Sequence, residues 1–342
     1  MFREVFEKLS RRQDLTADEA AAAMEEIMEG RASPAQIAGL LVGLAMKGER
    51  PSELVGLART MRRQAVPLPR PVAPVFDLCG TGGDRAGTFN ISSVAAIVTA
   101  AAGVHVAKHG NRAVSSSCGS ADVFEALGVR TSASPATVAA CLDGAGIAFL
   151  FAQVFHPSMR HAAPVRRELG FRTAFNLLGP LTNPAGPARQ LVGVPRPELT
   201  ELLARALLSL GSERAWVVHG ADGLDEISTT GYSKVSECRN GTVSTFYVHP
   251  SDFGLPVSSV AALAGGTAAA NAVIALDILK GARGPARDIV LLNAGAALFI
   301  ADRAVSVSEG VALARAAIDR GDALETLKRL TEFSTAESGA AS

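Results

Sequence analysis

The 342-residue chain is 48% hydrophobic and 19% charged, far from the low-hydropathy, high-charge compositions that stay disordered, and long enough for one large core or two ordinary ones. Lys plus Arg and Asp plus Glu number 33 each, so no global field recruits nucleic acid or anionic lipid, and small-molecule partners are favoured. The longest mostly apolar runs, 94–107 and 288–301, are alanine-rich and fall short of the ~20 residues of a membrane span; they read as buried helices, with no membrane partner.

The N-terminal sequence MFREVFEKLSRRQD has no apolar core followed by a cleavage site, so a cytoplasmic protein is expected. Short helices follow with clean start signals: Thr16 with Glu19 and Ser33 with Gln36 each match a capping box, and Pro34 takes the first helical position. Ile37, Leu40, Leu41 and Leu44 recur at helical spacing and give this unit a face to bury. The four prolines of PLPRPVAP, 67–74, then form a stiff extended connector, the best candidate boundary in the chain.

Beyond it short apolar strands alternate with alanine-rich helices: PVFDLCG, a helix over 91–102, HVAKHG, a helix from 120, IAFLFA and later RAWVVHG. Such alternation predicts an α/β fold with a mainly parallel central sheet flanked by helices. The stretch 156–182 breaks the rhythm with helix-like, strand-free sequence that can rejoin the N-terminal helices in space. Residues 258–281 and 303–330 return to helices, and the tail TEFSTAESGAAS is expected to fray. Four cysteines, Cys79, Cys118, Cys141 and Cys238, sit far apart without CxxC spacing, which argues against a zinc site and a disulfide framework.

In open α/β sheets ligands collect outside the carboxyl ends of the strands, where loops lead into helix N-termini. The loop DLCGTGGDRAGTFNISS, 77–93, has that grammar: its glycines let a ligand approach the backbone, and the helix start near Asn90 favours an anion. Its spacing matches neither the dinucleotide fingerprint nor the Walker loop, so a phosphate site and a structural glycine turn both fit it. A second loop, KHGNRAVSSSCGSAD, 108–122, concentrates Lys108, His109, Asn111, Arg112, Ser115, Ser116, Ser117 and Ser120 into an anion cradle; the serine run taken alone fits a solvated turn as well. Two such loops suit a ligand with several phosphates, and polyphosphates bring Mg²⁺, held by one or two carboxylates. Asp225 and Glu226, following RAWVVHG, are the candidate pair, with Asp222 and Asp84 as competitors and a surface acidic turn as the plain alternative. A third cluster, HPSMRHAAPVRRELG, crowds His156, Arg160, His161, Arg166 and Arg167 together, and an arginine fork there would pair with a carboxylate.

GTGGD with NISS, KHGNRAVSS with GSAD, and HPSMRHAAPVRRELG leading into NLLGPLTNP together resemble one family closely, and VLLNAGAAL near the end extends the similarity over nearly the whole chain. The chain resembles the anthranilate phosphoribosyltransferases of tryptophan biosynthesis. The resemblance implies transfer of phosphoribose from phosphoribosyl pyrophosphate (PRPP) to the amino group of anthranilate, with release of pyrophosphate and with Mg²⁺ present. It also implies a homodimer and a small helical domain, 1–66 plus about 157–185, hinged through 67–74 to a larger α/β domain, 75–156 plus about 186–335, with a flexible tail at 336–342. By position, Gly80, Gly83, Asp84, Thr88, Asn90, Ile91, Ser92, Ser93, Lys108, His109, Gly110, Asn111, Arg112, Ala113, Val114, Ser115, Ser116 and Ser120 would surround PRPP. Ser92, Asp225 and Glu226 would hold Mg²⁺. Gly80, Asn111, Arg166, His109 and His156 would serve anthranilate, with no residue assigned as an acid or base. Gln153, Met159 and Thr267 depart from residues common in the family at those positions.

Overall fold

The computed structural model describes residues 1–69, 71, 73–84, 86–113 and 118–336. Four helices open the chain: α1 (Phe2–Ser10), α2 (Ala17–Met28), α3 (Pro34–Lys47) and α4 (Pro51–Arg63). Both expected capping boxes are present, with Thr16 and Ser33 side chains accepting from the backbone N–H of Glu19 and Gln36. After the proline-rich connector come β1 (Phe76–Gly80), α5 (Ile91–Ala101), β2 (Val106–Gly110), α6 (Ser120–Ala126), α7 (Pro135–Ala145) and β3 (Ile147–Phe151). The interrupting stretch is a chain of short turns: α8 (Ala152–Phe155), a 3₁₀ turn (Pro157–His161), α9 (Ala163–Leu169), and α10 (Phe175–Leu178) running into a 3₁₀ turn (Gly179–Leu181). Then follow β4 (Arg189–Gly193), α11 (Glu198–Ser209), β5 (Arg214–Gly220), β6 (Ser233–Arg239), β7 (Thr242–Val248), α12 (Ala268–Leu279), α13 (Pro285–Ile300), α14 (Val307–Asp319) and α15 (Asp322–Thr335).

Among the described residues the strands form one seven-stranded sheet in the order β3-β2-β1-β4-β5-β6-β7. The first five are parallel, and β6 and β7 continue the sheet as an antiparallel hairpin. Alternate residues divide between two cores, as a strand period of two requires. Phe76, Leu78, Trp216 and Val218 face α5, α7 and α13 to α15, whereas Cys79, Ala215 and Val217 face α11 and the cluster that contains α1 to α4. The turns of 156–182 touch that second cluster, with α9 against α3 and α10 against α4.

The structure departs from the sequence expectations in three places. The apolar run 94–107 is not one helix, because Gly103 in the left-handed region (φ 96) ends α5 and the chain re-enters the sheet at Val106. The tail does not fray from Thr331: α15 continues to Thr335 because Leu330 and Ser334 are buried, and Ser334 Oγ accepts the Arg130 N–H at 3.1 Å. Cys79, read in a loop, lies inside β1. All four cysteines are buried thiols outside any disulfide.

α13 and α14 meet backbone to backbone. A Cβ on Gly310 would overlap the Gly295 carbonyl oxygen, and one on Gly295 would come within 2.6 Å of Val311 Cγ2. Because the obstacle is main chain, Gly310→Ala is expected to lower stability by about 1–3 kcal/mol in urea unfolding; an unchanged midpoint would show that the helices separate freely.

Candidate active site

β1, β2 and β5 all end at the same edge of the sheet, and the loops leaving them enclose a cavity of about 520 Å³. β1 and β4 are neighbours at the point where the strand order reverses, where a crevice forms outside the strand ends. Gly80, Gly83, Asp84, Thr88, Asn90, Ile91, Ser92 and Ser93 line the cavity from the first loop and the start of α5. Lys108, His109, Gly110, Asn111, Arg112, Ala113 and Ser120 line it from the second, and Asp225, Glu226 and Arg166 complete it. Val114, Ser115 and Ser116 lie outside the described residues. His156 sits behind the cavity wall, its ring 5.3 Å from that of His109. Arg160 and Arg167 are not among the lining residues, whereas Arg166 reaches the cavity with its guanidinium 5.2 Å from the Phe175 ring centre.

The acids are placed by packing. Gly80 and Gly193 pair in register at the ends of β1 and β4. A Cβ on Gly80 would overlap the Asp225 carboxylate, and one on Gly193 would overlap the Asp225 carbonyl. The next residues are pinned by Asn293 of α13, which is fully buried; its Oδ1 accepts the Ile227 N–H at 3.0 Å and its Nδ2 donates to the Ile227 carbonyl at 2.9 Å. Asp225 accepts the Gly82 N–H at 2.8 Å, and Glu226 accepts the Ser92 N–H at 3.0 Å in the first turn of α5. Asp222, a competitor for the metal role, is used in its own turn by Ser228 and Thr230 hydroxyls at 2.6 and 2.5 Å and does not line the cavity.

Burial and crowded negative charge leave these acids reluctant to ionise. Burial, with Asp84 beside it, pushes Asp225 up to about 7, and burial with Asp225 beside it pushes Glu226 up to about 8. Two cations offset this in part, Arg172 acting on Asp225 and Lys108 on Glu226; Lys108, 2% exposed, donates to the Leu78 carbonyl at 2.6 Å and to Ser92 Oγ at 3.2 Å. Burial lowers its pKa while Asp77 raises it. Arg112 is engaged elsewhere, pairing with Asp122 at 2.9 Å and Glu125 at 2.7 Å.

The opposite wall is a strap whose carbonyls are all occupied. From Leu178 to Thr182 in succession, the acceptors take Thr182 Oγ1 (2.9 Å), His109 Nδ1 (3.0 Å), Gln190 Nε2 (2.9 Å), Arg62 Nε (2.6 Å) and His156 Nε2 (3.0 Å). A carbonyl only accepts, so His109 carries its proton on Nδ1 and His156 on Nε2. Their other nitrogens, His109 Nε2 and His156 Nδ1, are buried acceptors with no partner among the described residues. Burial, with His156 nearby, pushes His109 down to about 3, and burial pushes His156 down to about 4.

The arrangement joins a floor of buried acids and a helix N-terminus to an arginine with two neutral imidazoles behind it. Family models match both halves of the chain: "Glycosyl transferase family, a/b domain" over residues 72–324 and "Glycosyl transferase family, helical bundle domain" over 3–65. Anthranilate phosphoribosyltransferase of Moorella thermoacetica is 55% identical over 94% of this chain and 95% of its own length, and that of Thermomicrobium roseum is 55% identical over 98% of each. The chain belongs to the anthranilate phosphoribosyltransferase family.

Among solved structures, the family member from Thermus thermophilus superposes with a TM-score of 0.90 at 46% identity, covering 96% of this chain and 98% of that one. The Saccharomyces cerevisiae member, in complex with PRPP and Mg, gives 0.88 at 27% identity and covers 97% of each. The family positions that depart in this chain have plain structural uses: Thr267 caps α12 by accepting the Ala270 N–H at 3.3 Å, and Met159 packs on the helical core. Gln153 is exposed on α8. Sequence reasoning missed Arg172, Phe175 and Asn176, which also line the cavity.

The imidazole assignments fix a measurable outcome. Nitrogen-detected NMR should show His109 as the Nδ1–H tautomer and His156 as the Nε2–H tautomer, both unprotonated from about pH 8 to about pH 5.5. The unfolded chain takes up protons at these residues below about pH 6.5 and the folded one does not, so their contribution to stability falls as pH drops below that value. Titration of either ring near pH 6.5 in the folded protein would contradict the assignment.

Proposed function

We propose that the cavity holds PRPP on the acidic, glycine-lined side and anthranilate on the Arg166 side, so that the chain makes N-(5-phosphoribosyl)anthranilate and pyrophosphate, a step of tryptophan biosynthesis. The observation that carries this is the convergence, in one cavity, of two glycine-bearing strand-end loops, the Asp225–Glu226 pair and Arg166. The family relationship, with a relative solved in complex with PRPP and Mg and again with 4-fluoroanthranilate, supports the choice of ligands.

The residues fit a divalent ion that arrives with the diphosphate. Asp225 and Glu226 are two hard oxygen donors whose raised pKa values reflect burial first and the crowding of neighbouring acids second, both of which a bound cation would offset. Mg²⁺ is usually held by one or two carboxylates together with substrate phosphates and water, and Asp225 and Glu226 supply such a pair. Asp225, Glu226 and Ser92 would hold it, with Asp84 adding a further charge beside Asp225. When bound, the ion supplies positive charge to the diphosphate as that group takes up electrons.

In the reaction the C1–oxygen bond to diphosphate breaks with its electron pair going to the diphosphate, the bond from the anthranilate nitrogen to C1 forms, and the proton that nitrogen sheds goes to the released diphosphate. Negative charge gathers near Lys108, whose ammonium lies beside Ser92 at the start of α5, where the helix dipole also favours an anion. Asn90, Ile91, Ser92, Ser93, the 108–116 loop and Ser120 surround the donor in this reading, and Gly80 lies between the two substrates. Arg166 takes the anthranilate carboxylate, Asn111 holds the ring in line, and the amine, neutral near pH 7, attacks without a strong base. His109 and His156 line the aromatic acid's path in this reading, and an imidazole that burial holds near pKa 3 does not store the amine's proton.

The helical unit, 1–66 with about 157–185, would turn on residues 67–74 against the α/β domain and carry Arg166 toward the donor, excluding water. We also place the chain in the cytoplasm as a homodimer joined through its helical unit. The helical unit carries a groove at α1 lined by Phe2, Arg3, Phe6, Glu7, Ser10 and Gln36, which is where we place that contact.

Anthranilate fluorescence should decay on mixing with PRPP and Mg²⁺ and persist without Mg²⁺; persistence under all conditions would remove the assignment. Arg166→Ala should raise the anthranilate KM at least about tenfold and the PRPP KM less than about threefold, since a charge-assisted pair is lost on one substrate alone. Equal damage to both would misplace Arg166.

A further inference from the structure

Arg172 follows α9 across Gly170, whose left-handed backbone (φ 64) ends that helix, and its side chain leaves its own segment altogether. Its guanidinium crosses to the first glycine loop, where Nη1 donates to the Gly82 carbonyl at 2.6 Å and Nη2 to the Thr81 carbonyl at 3.2 Å. The other side of the same peptide stretch is held too, since the Gly82 N–H donates to Asp225 Oδ2 at 2.8 Å. Gly82 is therefore gripped from both faces, by a cation on its carbonyl and an acid on its N–H. Gly83 supplies an independent sign that the loop is built around the guanidinium. Its φ of 82 already favours glycine, and a Cβ there would also overlap Arg172 Nη1. Arg172 lines the cavity, and none of the ion pairs among the described residues involves it; Asp225 and Asp84 are the acids whose charge it feels.

We propose that Arg172 is a positioning residue for the diphosphate donor. This deepens the donor-site reading of the previous subsection and rests on it. By drawing the carbonyls of Thr81 and Gly82 to one side, the guanidinium fixes two peptide planes of the loop; the Gly82 N–H of the first goes to Asp225, so that the Gly83 N–H of the second and the Asp225 carboxylate are presented to the donor in one arrangement. A fork is needed for this, because two adjacent carbonyls are held at once by two nitrogens of one planar group. Arg166 and Arg172 are six residues apart on one short segment, so the chain that carries the acceptor's arginine also sets the donor's loop.

Steady-state kinetics of the full-length enzyme with Mg²⁺ tests this. Arg172→Gln is expected to raise the PRPP KM about tenfold or more, the effect of losing hydrogen bonds to a charged group, with the anthranilate KM within about twofold of wild type. Arg172→Lys, which offers a point charge without a fork, should recover part of the loss. A double-mutant cycle with Gly83→Ala separates the contact from general damage. The backbone strain at position 83 is common to both backgrounds and cancels, so the alanine penalty on the PRPP KM should shrink when Arg172 is already Gln. Equal changes in both KM values, an unchanged PRPP KM, or additive penalties in the cycle would each overturn the proposal. Wild-type enzyme that fails to use PRPP at all would overturn the donor-site reading with it, whereas normal wild-type turnover beside an unaffected Arg172→Gln variant would overturn the role of Arg172 alone.

Discussion

Two strands of this sheet end in glycine at the same register position, and the site depends on that coincidence. Gly80 and Gly193 face each other across the β1–β4 boundary, and the space their missing side chains leave is filled by Asp225, its carboxylate over one glycine and its carbonyl over the other. Asn293 closes the arrangement from α13 by taking both backbone groups of Ile227. Glu226, fixed between them, reaches the first turn of α5 at Ser92. A parallel sheet delivers loops to one edge as a matter of topology. Only close packing of this kind turns three loops from that edge into one site with defined distances.

The second wall follows a different principle. Backbone carbonyls in a non-repetitive buried segment need donors, and here five in succession receive them from side chains spread across the fold. Arg62 comes from the helical unit, Gln190 from β4, His109 from β2, His156 from the segment after β3, and Thr182 from the strap itself. That satisfies the strap, holds the helical unit to the sheet, and decides which nitrogen of each imidazole remains as a free acceptor. The two walls thus differ in kind: one gathers the buried acids Asp225 and Glu226 and suits a metal-bound anion, and the other is neutral apart from Arg166 and suits an aromatic acid.

Much of this is legible in the sequence, and the exceptions are instructive. β1, β2, β3 and β5, the helix starts at Ala17 and Pro34, and the loops after β1, β2 and β5 each carry a local signature: an apolar run, ending in glycine in β1, β2 and β5, or a capping pair. The β6–β7 hairpin escaped the sequence reading although Asn240 and Gly241 both take the left-handed conformation that an Asn-Gly turn announces. Strand β4 escaped it for a better reason, since RQLVG is five residues between proline-bearing loops. Gly193 and Arg172 had no signal to find. Their meaning lies in contacts with Asp225 and Gly82, 32 and 90 positions away, and nothing local to either residue announces them. Gly80 reads in the sequence as a glycine that admits a ligand, yet the structure shows that it also admits an acid.

The central claim is that the donor site exists because Asp225 is seated between the ends of β1 and β4. Calorimetric titration of Gly193→Ala with PRPP in the presence of Mg²⁺ tests it most directly, because residue 193 does not line the cavity and its substitution acts through Asp225. The account expects the variant to keep wild-type far-UV circular dichroism and to bind PRPP at least about tenfold more weakly than wild type, the equivalent of about 1.4 kcal/mol. A folded variant that binds PRPP as tightly as wild type would contradict it.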